Sequence, residues 1–188
     1  VDGADDGASG VGVLLEIARQ LGQKAPQVGV DILFCDAEDY GTPEFVDSYK
    51  PDTWCLGTQF WVKNPHVKGY KAEFGILLDM VGGRNATFFR EFQSQRAAAP
   101  ILEMVWSKAR DLGYGKYFIN AEGGAITDDH QYVISGLRIP SIDIINYDPD
   151  SKTGFAPYWH TQKDNMDNID RETLKAVGET VLAVIYNQ

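Results

Sequence analysis

Three carboxylates and one histidine stand where this chain could do chemistry. Asp6 sits in a glycine-rich loop, Glu38 and Asp39 are adjacent after an apolar run, and His160 lies in Trp159-His160-Thr161. One imidazole and two carboxylate oxygens leave a fourth position open, a donor set suited to catalytic zinc because the opening admits water or a substrate carbonyl. No two of the four lie one helical turn apart, so spacing alone does not bring them together. Each also has a plainer reading: Asp6 could cap the helix that follows it, Glu38 and Asp39 could be solvated loop acids, and His160 could pack on Trp159. The Glu38-Asp39 pair narrows the choice. Neighbouring side chains at a strand end point in different directions, so one can bind a metal while the other faces the substrate as a proton carrier. Side by side and bare they repel, and a cation would relieve that repulsion.

The elements that must position these residues are legible from periodicity. Val11, Leu14, Leu15, Ala18 and Leu21 mark one face of a helix over 8–23, with Gly22 near its end. The β-branched, nearly all-apolar run 28–35 predicts a strand buried on both faces, followed at once by Asp36, Glu38 and Asp39. A second buried strand is expected over 74–81, ending at Asp79 and Gly82-Gly83, and a third over 141–146 after Ile139-Pro140. Helical patterns cover 97–112, 128–136 and 171–186, the last with Asp170 as its N-cap. Strands alternating with helices predict a three-layer α/β domain whose mixed, mostly parallel sheet is flanked by helices. In such sheets sites gather beyond the carboxyl ends of the strands, which is where the acids fall.

Composition sets the outer limits. The 188 residues, 44% hydrophobic and 23% charged, suit one globular domain with a sizeable core. Seventeen Lys and Arg against 27 Asp and Glu give a net charge of -10 with no basic block, which argues against nucleic acid as a partner. No apolar run approaches the ~18 residues of a spanning helix. Cys35 and Cys55 alone make neither a disulfide framework nor a thiolate zinc site, and Cys35 is expected to be an inert buried thiol. His66, without acidic company, reads as a surface residue, and His130, after two acids, as a structural hydrogen-bond partner. Trp54 and Trp61 are expected to pack in the core, with Trp54 also a candidate to shape a substrate mouth.

Five motifs in one order carry a resemblance. Gly3-Ala4-Asp5-Asp6-Gly7-Ala8-Ser9-Gly10-Val11 before a helix resembles the loop that supplies a zinc-ligating aspartate in zinc-dependent exopeptidases of the aminopeptidase type. With Asp36-Ala37-Glu38-Asp39, Leu77-Leu78-Asp79-Met80-Val81-Gly82, Gly123-Gly124-Ala125-Ile126-Thr127-Asp128-Asp129-His130 and the stretch from Phe155 to Thr161, the chain looks most like bacterial glutaminyl-peptide cyclotransferases close to the animal enzymes. The resemblance implies the zinc exopeptidase fold, of phosphorylase/hydrolase type, with Asp6, Asp39 and His160 as ligands of one Zn2+ and Glu38 as general acid and base. It further implies that Asp79 and Asp128 share the proton network around Glu38, and that Trp159 and Phe155 wall the pocket for a glutaminyl side chain. Asp128-Asp129-His130 and Trp159-His160-Thr161 favour the cyclase over an aminopeptidase. Two positions depart from the relatives: Asp39 stands where many have Glu, and Asp143 where the animal cyclases place a histidine.

The expected reaction is conversion of the N-terminal glutamine of a peptide or protein to pyroglutamate with release of ammonia. The alternatives are a zinc aminopeptidase and a catalytically silent module that binds peptide N-termini. Relatives carry a His-x-Asp strand and further strands before the Asp6 loop, so residues 1–188 are expected to be a single catalytic domain lacking its N-terminal strands and helices. The second-metal histidine would lie in that upstream region, which leaves a second zinc undecided. A periplasmic or secreted protein, or one anchored to a membrane through an upstream segment, is the corresponding expectation for location.

Overall fold

A computed structural model describes residues 1–42, 47–50 and 52–188. Its spine is a parallel pair, β1 (Gly75–Asp79) and β4 (Ser141–Ile145), in register from Gly75 opposite Ser141 to Asp79 opposite Ile145. All five residues of β4 are buried, the mark of a strand covered on both faces. A second parallel ladder joins β2 (Phe88–Arg90) to β3 (Phe118–Glu122), and an isolated antiparallel bridge from Phe88 to Asn146 ties it to the end of β4. Helices α1 (Ala8–Gln23), α3 (Phe92–Asp111) and α5 (Arg171–Tyr186) pack in one group, and α2 (Leu56–Lys63) packs on α4 (Asp129–Leu137). The mixed α/β architecture with parallel strands agrees with the fold expected from the sequence.

The core lies between the β1–β4 pair and the α1, α3, α5 group. Trp106, Phe88 and Phe118 are fully buried and meet edge-on or tilted, with ring centres 5.1–5.3 Å apart. Helix α1 presses onto β1 without a side chain between them at Gly10, where a Cβ would lie 2.2 Å from the Leu78 carbonyl oxygen. That contact sets the loop before α1 against the carboxyl end of β1.

The helices over 8–23 and 171–186 form where expected, the second with Asp170 accepting from the Glu172 amide at 3.1 Å. The first, however, buries Ser9, Gly10, Val13 and Ile17 rather than the expected face, of which Val11, Leu15 and Ala18 are exposed. Helix α3 begins five residues earlier than apolar spacing indicates. Its first turn starts with the exposed Phe92 and is otherwise polar, Gln93-Ser94-Gln95, and is set by Glu91, which accepts from the amides of Gln93 and Ser94, whereas the kink at Ala98 ahead of Pro100 separates it from the periodic part. Helix α2 and strands β2 and β3 were not expected at all; the strands are short and one carries a bulge.

The run 28–35 is a correction. None of it belongs to a strand, and Val28, Val30, Leu33 and Phe34 are exposed, as is Cys35. A buried strand needs a hydrogen-bonded neighbour on each side, and among the described residues none reaches this run. Ile32, Leu33 and Phe34 instead border a cavity of about 640 Å³ whose far wall includes Ile76, Leu77 and Leu78 of β1. Trp61 is likewise only half-buried, stacked beside the exposed His66.

Candidate metal centre and active site

Asp6, Asp39 and His160 converge, although they stand in three separate loops. The His160 Nε2 lies 3.4 Å from Asp6 Oδ2 and 3.2 Å from Asp39 Oδ2, and one ligand atom from each residue falls within 4.8 Å of the other two. Asp6 does not cap α1: the N-cap is Gly7, with no side-chain cap bond, so the Asp6 carboxylate is free to face His160. The Asp6 loop is held from below by Asp164, whose two carboxylate oxygens accept from the amides of Asp5 and Asp6 at 2.9 and 3.0 Å.

The Glu38-Asp39 turn is pinned by a helix that sequence reading missed. Backbone amides of Cys55, Leu56 and Gly57, at the start of α2, donate to the carbonyls of Glu38, Ala37 and Asp36 at 2.9–3.1 Å. The Cys55 thiol, buried and pushed up in pKa by burial and by the acids around it, stays a donor and reaches Glu38 Oε1 at 3.4 Å. Ala37, Met80 and His160 have φ of 53°, 48° and 54°, left-handed conformations that ordinary residues adopt at a cost of about 1–3 kcal/mol each. Ala37 precedes Glu38, Met80 follows Asp79 and His160 is itself a candidate ligand, so three of the seven non-glycine residues of positive φ among the described residues stand at the candidate site.

Nine residues singled out from the sequence line one cavity of about 670 Å³: Asp6, Glu38, Asp39, Trp54, Asp79, Asp128, Phe155, Trp159 and His160. Asp79 ends β1, and Asp128 caps α4 by accepting from the Asp129 amide at 2.6 Å. The Trp159 ring stacks on the His160 imidazole, ring centres 3.9 Å apart, and Phe155 meets the same tryptophan tilted, ring centres 4.7 Å apart. Trp54 is half-buried at the same cavity.

Electrostatics follow from crowding acids in a half-closed space. Burial, then the Asp39 charge, pushes Asp6 up to about 6. Burial, then the Asp39 charge, lifts Glu38 to about 8. Asp79 and Asp128 are raised well above the usual carboxylate range, first by burial and then by the charges of Asp128 and Asp143 respectively. Asp6, Glu38, Asp39, Asp52, Asp79 and Asp128 face one lysine, Lys152, across the lining. A divalent cation fits this place: hard oxygens and an imidazole converge, and the surplus of negative charge finds its counter-charge there.

Behind the cavity, His130 is buried with Nε2 3.2 Å from Glu91, whose other oxygen accepts from the Ile126 amide at 3.1 Å. This joins the start of α3 to the loop that delivers Asp128. Asp143, also fully buried, lies 3.8 Å from His130 Nδ1, and burial holds its carboxyl well above the usual range.

A parallel-stranded α/β layer with Asp, Asp and His gathered beyond the strand ends defines a family as well as a site. The family model described as Peptidase family M28 matches residues 1–185, and the chain belongs to that family. Among solved structures it is similar to a Zn-dependent exopeptidase from Parabacteroides distasonis, with 82% identity, a TM-score of 0.97, and coverage of 99% of this chain and 64% of that one. It is also similar to Tannerella forsythia glutaminyl cyclase, with 75% identity, a TM-score of 0.95 and the same coverages. The glutaminyl-peptide cyclotransferase of Bos taurus is 28% identical across 92% of this chain and 52% of its own length. The chain thus spans about half of that curated relative and 64% of those two structures.

Proposed function

We propose that this protein is a zinc-dependent glutaminyl-peptide cyclotransferase. The observation that carries the reading is the Phe155–Trp159–His160 aromatic group, which lines one cavity together with Asp6, Asp39 and the raised-pKa Glu38. The similarity to a solved glutaminyl cyclase at 75% identity supports it. Asp6, Asp39 and His160 would hold the metal, which supplies Lewis acidity toward the substrate's side-chain amide carbonyl. Glu38 takes a proton from the attacking α-amine and returns it to the departing amide nitrogen. The new bond joins the α-nitrogen to the side-chain carbonyl carbon, the old carbon–nitrogen bond breaks, and ammonia leaves. Asp128 and Asp79, held toward the neutral form, keep a proton close to Glu38 rather than adding a second bare charge. Trp159 and Phe155 favour the compact conformer in which the glutamine side chain folds back on its own amine, and they keep water away from it. Trp54 would border the entrance for the rest of the peptide.

Within the same proposal, residues 1–188 belong to one catalytic domain whose sheet further strands would complete. The cavity bordered by β1 and by Ile32, Leu33 and Phe34 supports that reading, since it leaves apolar side chains of both segments uncovered. Peptide or protein N-termini are the partners. Among the described residues no helix is long and apolar enough to cross a membrane.

The second reading, a peptidase in which water attacks the first peptide bond, draws on the similarity to a Zn-dependent exopeptidase. Mass spectrometry of a mixed peptide pool separates the two. Gln-initiated peptides should lose about 17 Da as ammonia, the expected outcome of amide-to-lactam exchange at a metal electrophile, while Leu- and Ala-initiated peptides stay whole. Release of free N-terminal amino acids with Gln peptides unchanged would establish the peptidase instead.

A further inference from the structure

Asp6 and His160 are separated by 153 intervening positions, and two ties bracket His160 and bind its turn to the Asp6 loop. One is Asp164, described above. The other is Tyr158, whose hydroxyl donates to Asp5 Oδ2 at 2.8 Å. Asp5 is fully buried, and its second oxygen accepts from the Gly82 amide at 2.8 Å, just past the end of β1. Ser9 extends the same anchorage: its hydroxyl donates to the Asp5 carbonyl at 2.5 Å and accepts from the Val81 amide at 2.9 Å. A single carboxylate therefore links the rigid strand end to Tyr158, two residues before the candidate ligand His160.

The link needs space that only glycine leaves. A Cβ on Gly83 would sit 2.3 Å from the Tyr158 hydroxyl oxygen and 2.6 Å from Asp5 Oδ2, closer than any such contact tolerates. His160 itself holds a left-handed φ of 54°, which local backbone preference disfavours, so the outside ties add to the local turn bond from the Thr161 amide to the Tyr158 carbonyl at 3.0 Å in holding it. Neither Tyr158 nor Asp5 lines the cavity, so neither is placed to touch substrate.

We propose that Tyr158 and Asp5 are positioning residues: their hydrogen bond, in the gap left by Gly83, holds the His160 and Asp6 loops at the separation a metal ion requires. This rests on the metal-site reading above. Residues that orient ligands from behind typically govern metal affinity by 10- to 100-fold, and the pair fills that position.

The test is zinc affinity by competition with a chromogenic chelator, beside thermal unfolding of the metal-free protein, for wild type, Tyr158→Phe, Gly83→Ala and the double variant. Tyr158→Phe keeps the ring and removes one hydroxyl, so zinc should bind about 10- to 100-fold more weakly while the metal-free melting temperature stays near that of wild type. Gly83→Ala should weaken zinc by pushing the same two groups apart, and should cost less in the Tyr158→Phe background, where the clashing hydroxyl is gone. Unchanged zinc affinity in Tyr158→Phe overturns the proposal and leaves the metal site standing. Equal losses of zinc affinity and metal-free stability in both single variants also overturn it, since the pair would then serve the fold. Absence of zinc binding by wild type removes the metal-site reading itself, and the proposal with it.

Discussion

Replacing Glu38 by Gln keeps the shape of the side chain and removes both its charge and its ability to carry a proton. With a pKa of about 8 against a usual 4.5, Glu38 in the metal-free protein is protonated in about nine molecules of ten at pH 7. A group whose folded-state pKa is raised adds stability below its unfolded value and loses it as pH rises through the folded one. At about 1.4 kcal/mol per pKa unit, ionising Glu38 costs the fold at most roughly 5 kcal/mol, and solvent reaching it through the open cavity brings this to the order of 2 kcal/mol. Gln does not ionise. Metal-free wild type and Glu38→Gln should therefore melt together near pH 5, and by pH 9 the variant should melt about 4–8 °C higher, as expected for that difference in a domain of this size. Under the same substitution, turnover of the zinc-loaded protein should fall by about 10²–10⁴, or roughly 3–5 kcal/mol of barrier. Calorimetry across pH and an ammonia-release assay read the two effects separately. Parallel melting curves would refute the placement of Glu38 in a desolvated acid cluster. Near-normal turnover with zinc bound would move the proton carrier elsewhere, with Asp128 next in line.

Three further outcomes follow from the same geometry. His160→Ala removes one of three protein ligands and should abolish stoichiometric zinc, measured by elemental analysis; zinc retained at one per chain would exclude His160 from the site. In the metal-free protein, the raised pKa values of Asp6, Glu38, Asp79, Asp128 and Asp143 should make stability fall as pH climbs from 5 to 8, against a contrary contribution from Glu91, lowered to about 2, that is lost only in stronger acid. Zinc binds the ionised ligands, so adding it should raise the melting temperature more at pH 8 than at pH 5. A metal-free melting temperature that rises between pH 5 and 8 would contradict this.

The identities of the candidate ligands were legible because their surroundings are unusual at the level of residue type. An aspartate in a glycine loop, two acids in a row after an apolar run, and a histidine beside tryptophan are each ordinary alone, but their order along the chain is not. The helices over 8–23 and 171–186 were legible as helices for a simpler reason: apolar residues recur at helical spacing, and periodicity is local. Which face of the first is buried was not legible, since packing covers Val13 and Ile17 and leaves Val11 and Leu15 exposed. Helix α3 shows where periodicity stops, since its first turn is mostly polar and owes its start to a buried Glu91 that also binds the loop before Asp128. Local spacing reveals neither that cap, a glutamate where Ser, Thr, Asp or Asn is usual, nor its partner 35 positions away.

The run 28–35 failed for the complementary reason. Apolar, β-branched composition states that a segment prefers a covered, extended environment, but a strand exists only where another backbone supplies its hydrogen bonds, and no local pattern contains that neighbour. Convergence of the site has the same character. Residue types determined which side chains could bind a cation and move a proton. That Asp6, Asp39 and His160 come within hydrogen-bonding reach, that Glu38 loses enough water to rise to about 8, and that Tyr158 finds Asp5 were decided by packing between segments up to 159 residues apart. Desolvation and distance are properties of what surrounds a residue, and those surroundings come into being only when the chain closes on itself.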